Sequence, residues 1–145
     1  MNIPKFFLES RGLLNLLKRF FTLFQRFGFT SRKMEKNLTN YVEIGIRNGC
    51  LPTFPITATT LMRHPKMIQN LQKMGADFAI HGFVHTDYSE LTKEEQIDHL
   101  KKAIRIFEEC RIPFQGFRSP YLRWNGETQM AIHQFPFLWT SHQVV

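Results

Sequence analysis

The feature that most narrows the fold is a regular alternation over residues 50–145. Short apolar, β-rich runs at 51–57 (LPTFPIT), 76–81 (ADFAIH), 113–118 (PFQGFR) and 137–141 read as strands. Between the first two, a helix from about residue 60 carries Leu61, Met67, Ile68 and Leu71 and stops at Gly75. Thr92 with Glu95 three residues later forms a capping box for a helix to about residue 111. Its expected inner face is Ile97, Leu100, Ile104 and Phe107. A short helix over 127–134 leads into the last strand. Strands and helices in strict alternation call for parallel strands joined by crossovers, an α/β sheet or part of a barrel. Reactive groups in such folds gather where strands end at their C-termini.

The residues before this pattern differ in kind. Residues 1–49 hold nine Lys/Arg and three Glu, so most of the +7 net charge lies there and 50–145 is nearly neutral. The chain therefore divides into a basic helical region, 1–49, and an α/β domain, 50–145. Ser31 is placed to cap a helix with Met34, Leu38, Tyr41 and Val42 inward, ending near 48–49. Over 13–27, Leu13, Leu16, Leu17, Phe20, Phe21, Phe24 and Phe27 recur at helical steps beside Lys18, Arg19 and Arg26. That helix either packs on the domain or lies on a membrane surface as a peripheral contact. Nucleic acid is not the expected partner, because these aromatics follow the spacing of a core or membrane face.

A membrane span needs about 20 apolar residues and a signal peptide an apolar core of about 7–15. The uncharged stretches 12–17 and 20–25 are interrupted by Lys18 and Arg19 and meet neither. A cytoplasmic or membrane-peripheral location is the expectation. Cys50 and Cys110 have no C-x-x-C spacing and read as two buried free thiols, with a disulfide as the alternative.

Candidate chemistry sits at the strand ends. His81 closes the second strand and His85 follows in HGFVH. On a straight strand the two would stand about 13 Å apart, but Gly82 permits a turn that brings the imidazoles together. Two neutral imidazoles suit zinc or another divalent metal. Arg118 ends the third strand in GFRSPYLRW, either as a site residue or in a surface ion pair. Asp87 is either a further metal ligand or the cap of the turn before the next helix. Tyr121 and Trp124 follow in the same segment as aromatic faces for a ligand ring, Trp124 equally for packing. His64, His99 and His133 lie on helices without partners, and no motif supports a role for His142.

An H-x-x-x-H after one strand and F-R-x-P-Y at the end of the next resembles the polysaccharide deacetylase family, the NodB-type carbohydrate esterases. The likeness covers about residues 50–145, and 49–57 (GCLPTFPIT) also matches the strand that precedes the family's histidines. It implies a distorted (β/α) barrel and metal-dependent removal of acetyl groups from N-acetylated sugars of a glycan. It makes His81 and His85 metal ligands, Arg118 the orienter of a catalytic carboxylate, and the Tyr121 backbone N–H an oxyanion donor. The family's T-F-D-D pair, which supplies a metal ligand and the general base, has no counterpart here. Asp77, Asp87 and Asp98 are the only aspartates. Four strands do not close a barrel. The expectation is thus a partial (β/α) barrel preceded by helices, from a truncated product or one that pairs with a second copy or a completing chain. A non-catalytic glycan- or metal-binding relative is the alternative function.

Overall fold

A computed structural model describes residues 31–142, together with Lys18, Phe21 and Thr22. Those three residues are helical, with the Thr22 hydroxyl donating to the Lys18 carbonyl at 2.8 Å. The rest of the helix expected over 13–27 lies outside the described residues. The chain divides into two compact units, residues 1–40 and 41–145, a boundary earlier than the 49/50 division read from composition.

Helix α1 (Ser31–Arg47) starts with Ser31 inside it rather than as its cap, and Gly49 beyond its end takes a left-handed φ of 67°. Of its expected inner face, Val42 is fully buried, whereas Tyr41 is 60% exposed. Then follow β1 (Thr53–Ile56), α2 (Ala58–Arg63), α3 (Pro65–Lys73), β2 (Asp77–Ile80), α4 (Lys93–Glu109), β3 (Gly116–Arg118), α5 (Gly126–Ile132) and β4 (Trp139–Ser141). Short 3-10 turns stand at Tyr88–Glu90 and Pro120–Leu122. Among the described residues, no helix is long and apolar enough to cross a membrane.

All four strands run parallel, in the spatial order β1-β2-β3-β4. Each strand pairs with its predecessor in sequence, so every crossover steps in the same direction. A doubly wound sheet would reverse at a switch point. Stepwise advance without reversal is how a (β/α) barrel is laid down, and this sheet is a four-strand portion of that arrangement. Phe78 and Ile80 of β2, Phe117 of β3, and Leu61, Ile68, Leu71, Leu100 and Phe107 of the helices are all buried.

Local chemistry moves several expected boundaries. The single helix expected after β1 is two, because Pro65 bars helical backbone at the residue before it. His64 sits at φ −134°, ψ 46°, and Pro65 opens α3. Strand β3 starts at Gly116 rather than at Pro113, which has no N–H for a ladder. The Thr92–Glu95 capping box is present, with Thr92 N–H donating to Glu95 Oε2 at 2.9 Å. The buried face of α4 is Gln96, Leu100, Ala103 and Phe107, so Ile97 and Ile104 stand at its margins. The Gln96 side chain leaves water by donating to the Leu91 carbonyl at 2.9 Å. Both cysteines are free as expected, but neither is buried: Cys50 is exposed and Cys110 half-buried.

Candidate functional site

Register places the key residues on one level. Ile80 stands beside Phe117, and Arg118 beside Ser141, so His81, Arg118 and Ser141 form a rung across the C-terminal rim. The rung is hydrogen-bonded sideways. His81 Nδ1 lies 2.7 Å from the Arg118 carbonyl oxygen, and Arg118 Nη1 donates to Ser141 Oγ at 3.1 Å.

The chain turns sharply after His81. Gly82 has φ 84°, and a Cβ there would meet Tyr88 Oη at 3.0 Å and the Val84 carbonyl oxygen at 3.2 Å. The loop is held by the start of α2, where Ala58 and Thr59 N–H donate to the Gly82 and Phe83 carbonyls at 3.0 and 3.1 Å. The result is the turn that the Gly82 argument required. The His81 and His85 rings stand edge to face with centroids 4.9 Å apart.

A carbonyl can only accept, so the His81–Arg118 contact fixes the proton on Nδ1 and leaves the Nε2 lone pair free. Burial holds the His81 pKa below the ordinary imidazole value, against the opposing pull of that hydrogen bond. A neutral imidazole with a fixed tautomer is the form that ligates metal.

The FRSPY segment approaches from β3. Tyr121 and Leu122 both have φ 56°, a left-handed backbone that costs a non-glycine residue on the order of 1–3 kcal/mol. Leu122 and Arg123 N–H close the turn onto the Ser119 and Pro120 carbonyls at 3.0 and 3.2 Å. The Tyr121 ring meets His85 edge to face with centroids 4.4 Å apart, so the two motifs converge. Trp124 is partly exposed and faces His142 at 5.9 Å. Both line a cleft of about 580 Å³ with Ser141, Trp139 and Ile132.

Asp87 does not join the histidines. One carboxylate oxygen accepts from Ser89 N–H at 3.0 Å and Ser89 Oγ at 2.6 Å, capping the turn at Tyr88–Glu90. The other accepts from Arg123 Nη1 at 2.7 Å. Those bonds hold its pKa below the ordinary carboxylate value. Of the two sequence readings, the capping one describes its contacts. Arg118 likewise faces a serine hydroxyl rather than a carboxylate.

Sequence reasoning missed Arg123, Ser119 and His142. Ser119 Oγ lies 3.1 Å from His142 Nδ1, and burial lowers the His142 pKa. The strand-end rule could have found His142, which follows β4 directly. Nothing in spacing pointed Arg123 at Asp87, 36 residues away.

The His81–His85 pair has the donor type of a divalent-metal site, and His81 has the fixed tautomer and outer hydrogen bond of a ligand in one. It supplies two ligands of the three that hydrolytic zinc sites take from protein. Among the described residues no group of three or more His, Cys, Asp or Glu could hold a metal ion. The residues present fit part of a metal site.

A family model for polysaccharide deacetylase matches residues 33–138. A peptidoglycan deacetylase-like protein, FGM2 of Gibberella zeae, is 29% identical over 91 residues, which is 61% of this chain and 27% of that protein. A crystal structure from Mycobacterium smegmatis, assigned as a polysaccharide deacetylase, matches with a TM-score of 0.68 at 24% identity over 72% of this chain and 37% of that one. Wild-type BA3943 of Bacillus anthracis, described as a CE4 family pseudoenzyme, matches with a TM-score of 0.67 at 16% identity over 74% of this chain and 38% of that one. At these identities the two structures speak for the fold alone. The chain spans about a quarter of the curated relative and under two-fifths of each solved structure.

Proposed function

The chain belongs to the polysaccharide deacetylase family, and from that premise we propose that it carries part of a metal-dependent site that removes acetyl groups from the N-acetylated sugars of a polysaccharide. The observation that carries this reading is the turn at Gly82, which sets the His81 and His85 rings 4.9 Å apart with His81 Nδ1 on the Arg118 carbonyl. The overall step adds water across the acetamide C–N bond, releasing acetate and leaving the sugar amine.

His81 and His85 would hold the divalent ion, zinc being the ion their chemistry suits best. When bound, such an ion supplies Lewis-acid polarisation of the acyl carbonyl. His81 stays neutral through burial, so its Nε2 lone pair is available near neutral pH. The Tyr121 N–H would donate to the carbonyl oxygen as negative charge develops on it. The Tyr121 ring, 61% exposed, offers an apolar face to a sugar ring beside His85, and the Trp124 indole offers another beside His142.

The test is acetate release from an N-acetylglucosamine oligomer with added zinc, using the wild type, His81→Ala and His85→Ala. Activity lost in both variants supports the reading. Release that survives both variants defeats it.

A second reading has its own support: Asp87 is engaged elsewhere, and no third donor joins the histidines among the described residues. On that reading the chain binds glycan or metal without turnover. Bound zinc with no acetate released would favour it.

A further inference from the structure

Two loops form the rim, one after β2 with His81 and His85, the other after β3 with Tyr121. At the base they are joined by the His81–Arg118 hydrogen bond. Farther out, beside the Tyr121–His85 ring contact, two more hydrogen bonds join them. Arg123 Nη1 donates to Asp87 Oδ2 at 2.7 Å, and Asn125 Nδ2 donates to the Ser89 carbonyl at 3.1 Å.

Between these joints lies the left-handed pair Tyr121–Leu122. Strained backbone persists only where its surroundings over-determine it. On the N-terminal side the strand pairing of Arg118 with Ser141 does this. On the C-terminal side the first side chain to reach the other loop is Arg123.

The Asp87 carboxylate is built to receive it. Two bonds from Ser89 fix its orientation, and its side chain is 15% exposed. The Arg123 side chain is 67% exposed and reaches in from solvent. Exposed ion pairs add little to stability, so the contact acts through geometry.

We propose that Asp87 and Arg123 are a positioning pair that clasps the two loops and holds Tyr121 against His85. The proposal rests on the deacetylase reading for its effect on rate, and on the geometry alone for its effect on the loop.

The experiment uses the full chain with Arg123→Gln, Asp87→Asn, the double variant and Arg123→Lys. Asparagine keeps an oxygen for Ser89, and position 123 faces solvent, so both single variants should fold. Acetate release from an N-acetylglucosamine oligomer is expected to lose about tenfold in kcat for each single variant, with KM within about twofold. The double variant should be no slower than either single, and Arg123→Lys should recover most of the loss. Unchanged kcat, or losses that multiply in the double variant, would overturn the clasp.

If the wild type releases no acetate, the deacetylase reading fails and amide exchange decides the clasp. The Leu122 amide should then exchange about tenfold faster in Arg123→Gln, with Phe78 and Ile80 amides unchanged. Equal exchange in variant and wild type would overturn it.

Discussion

Trp139 of β4 lays its indole over Gly116, its register partner on β3, so closely that a methyl group on Gly116 would fall inside the ring. The glycine is there because the tryptophan occupies its side-chain volume. Gly116→Ala is expected to cost about 1–3 kcal/mol through forced displacement, read as a lower denaturant midpoint. Trp139→Ala in the same chain should recover part of that loss; two costs that simply add would refute the pairing.

Gly82 is constrained twice, by its φ of 84° and by Tyr88 Oη at 3.0 Å from where a Cβ would stand. Gly82→Ala is expected to lower stability by about 1–3 kcal/mol and to weaken zinc binding, because the turn also sets the histidine pair. Calorimetric zinc titration and denaturant melts measure the two effects. Wild-type affinity in a destabilised variant would separate the turn from the site.

Zinc binding should depend on both imidazoles. His81→Ala and His85→Ala are each expected to reduce zinc affinity by at least about tenfold, whereas His133→Ala should leave it unchanged. A loss equal at all three positions would mean nonspecific binding.

Stability should fall with pH below neutrality. Burial lowers the pKa values of His81, His99 and His142. The folded state therefore takes up a proton less readily than the unfolded chain, whose histidines titrate near about 6.5. Their contribution is complete above that value and declines as pH drops through it toward the lowered folded values. The urea midpoint is expected to be lower at pH 5.5 than at 7.5, and His99→Gln should shallow the difference. A flat profile between those pH values would contradict the assignment.

The α4 capping box offers a local test. Thr92→Ala removes the acceptor for Glu95 N–H and is expected to cost about 1 kcal/mol. Thr92→Asp should keep most of the stability, which thermal melts of the three proteins would show.

What was legible beforehand follows from the range of each interaction. Strand–helix alternation, the Thr92–Glu95 box and the turn at Gly82 depend on residues within a few positions of one another. Sequence spacing displays them directly. The break at His64–Pro65 is equally local and was readable from the proline, but the apolar spacing across it masked the signal. Asp87 with Arg123 and Ser119 with His142 depend on which loops the sheet sets side by side. Spacing carries no trace of that. Gln96 in the buried face of α4 was hidden because burial there rests on one bond to the Leu91 carbonyl. No apolar pattern announces such a bond.

The stepwise strand order also bears on how the site comes into being during synthesis. The hydrogen bonds that join it link residues 37, 36 or 23 positions apart, each spanning neighbouring βα steps. Loop-closure entropy grows only slowly over such lengths, about 0.6 kcal/mol for each doubling. As the chain emerges from the ribosome, the histidine loop can fold against α2 before β3 has left the exit tunnel. A chain stalled before residue 116 would present His81 and His85 without their Arg118 and Tyr121 partners.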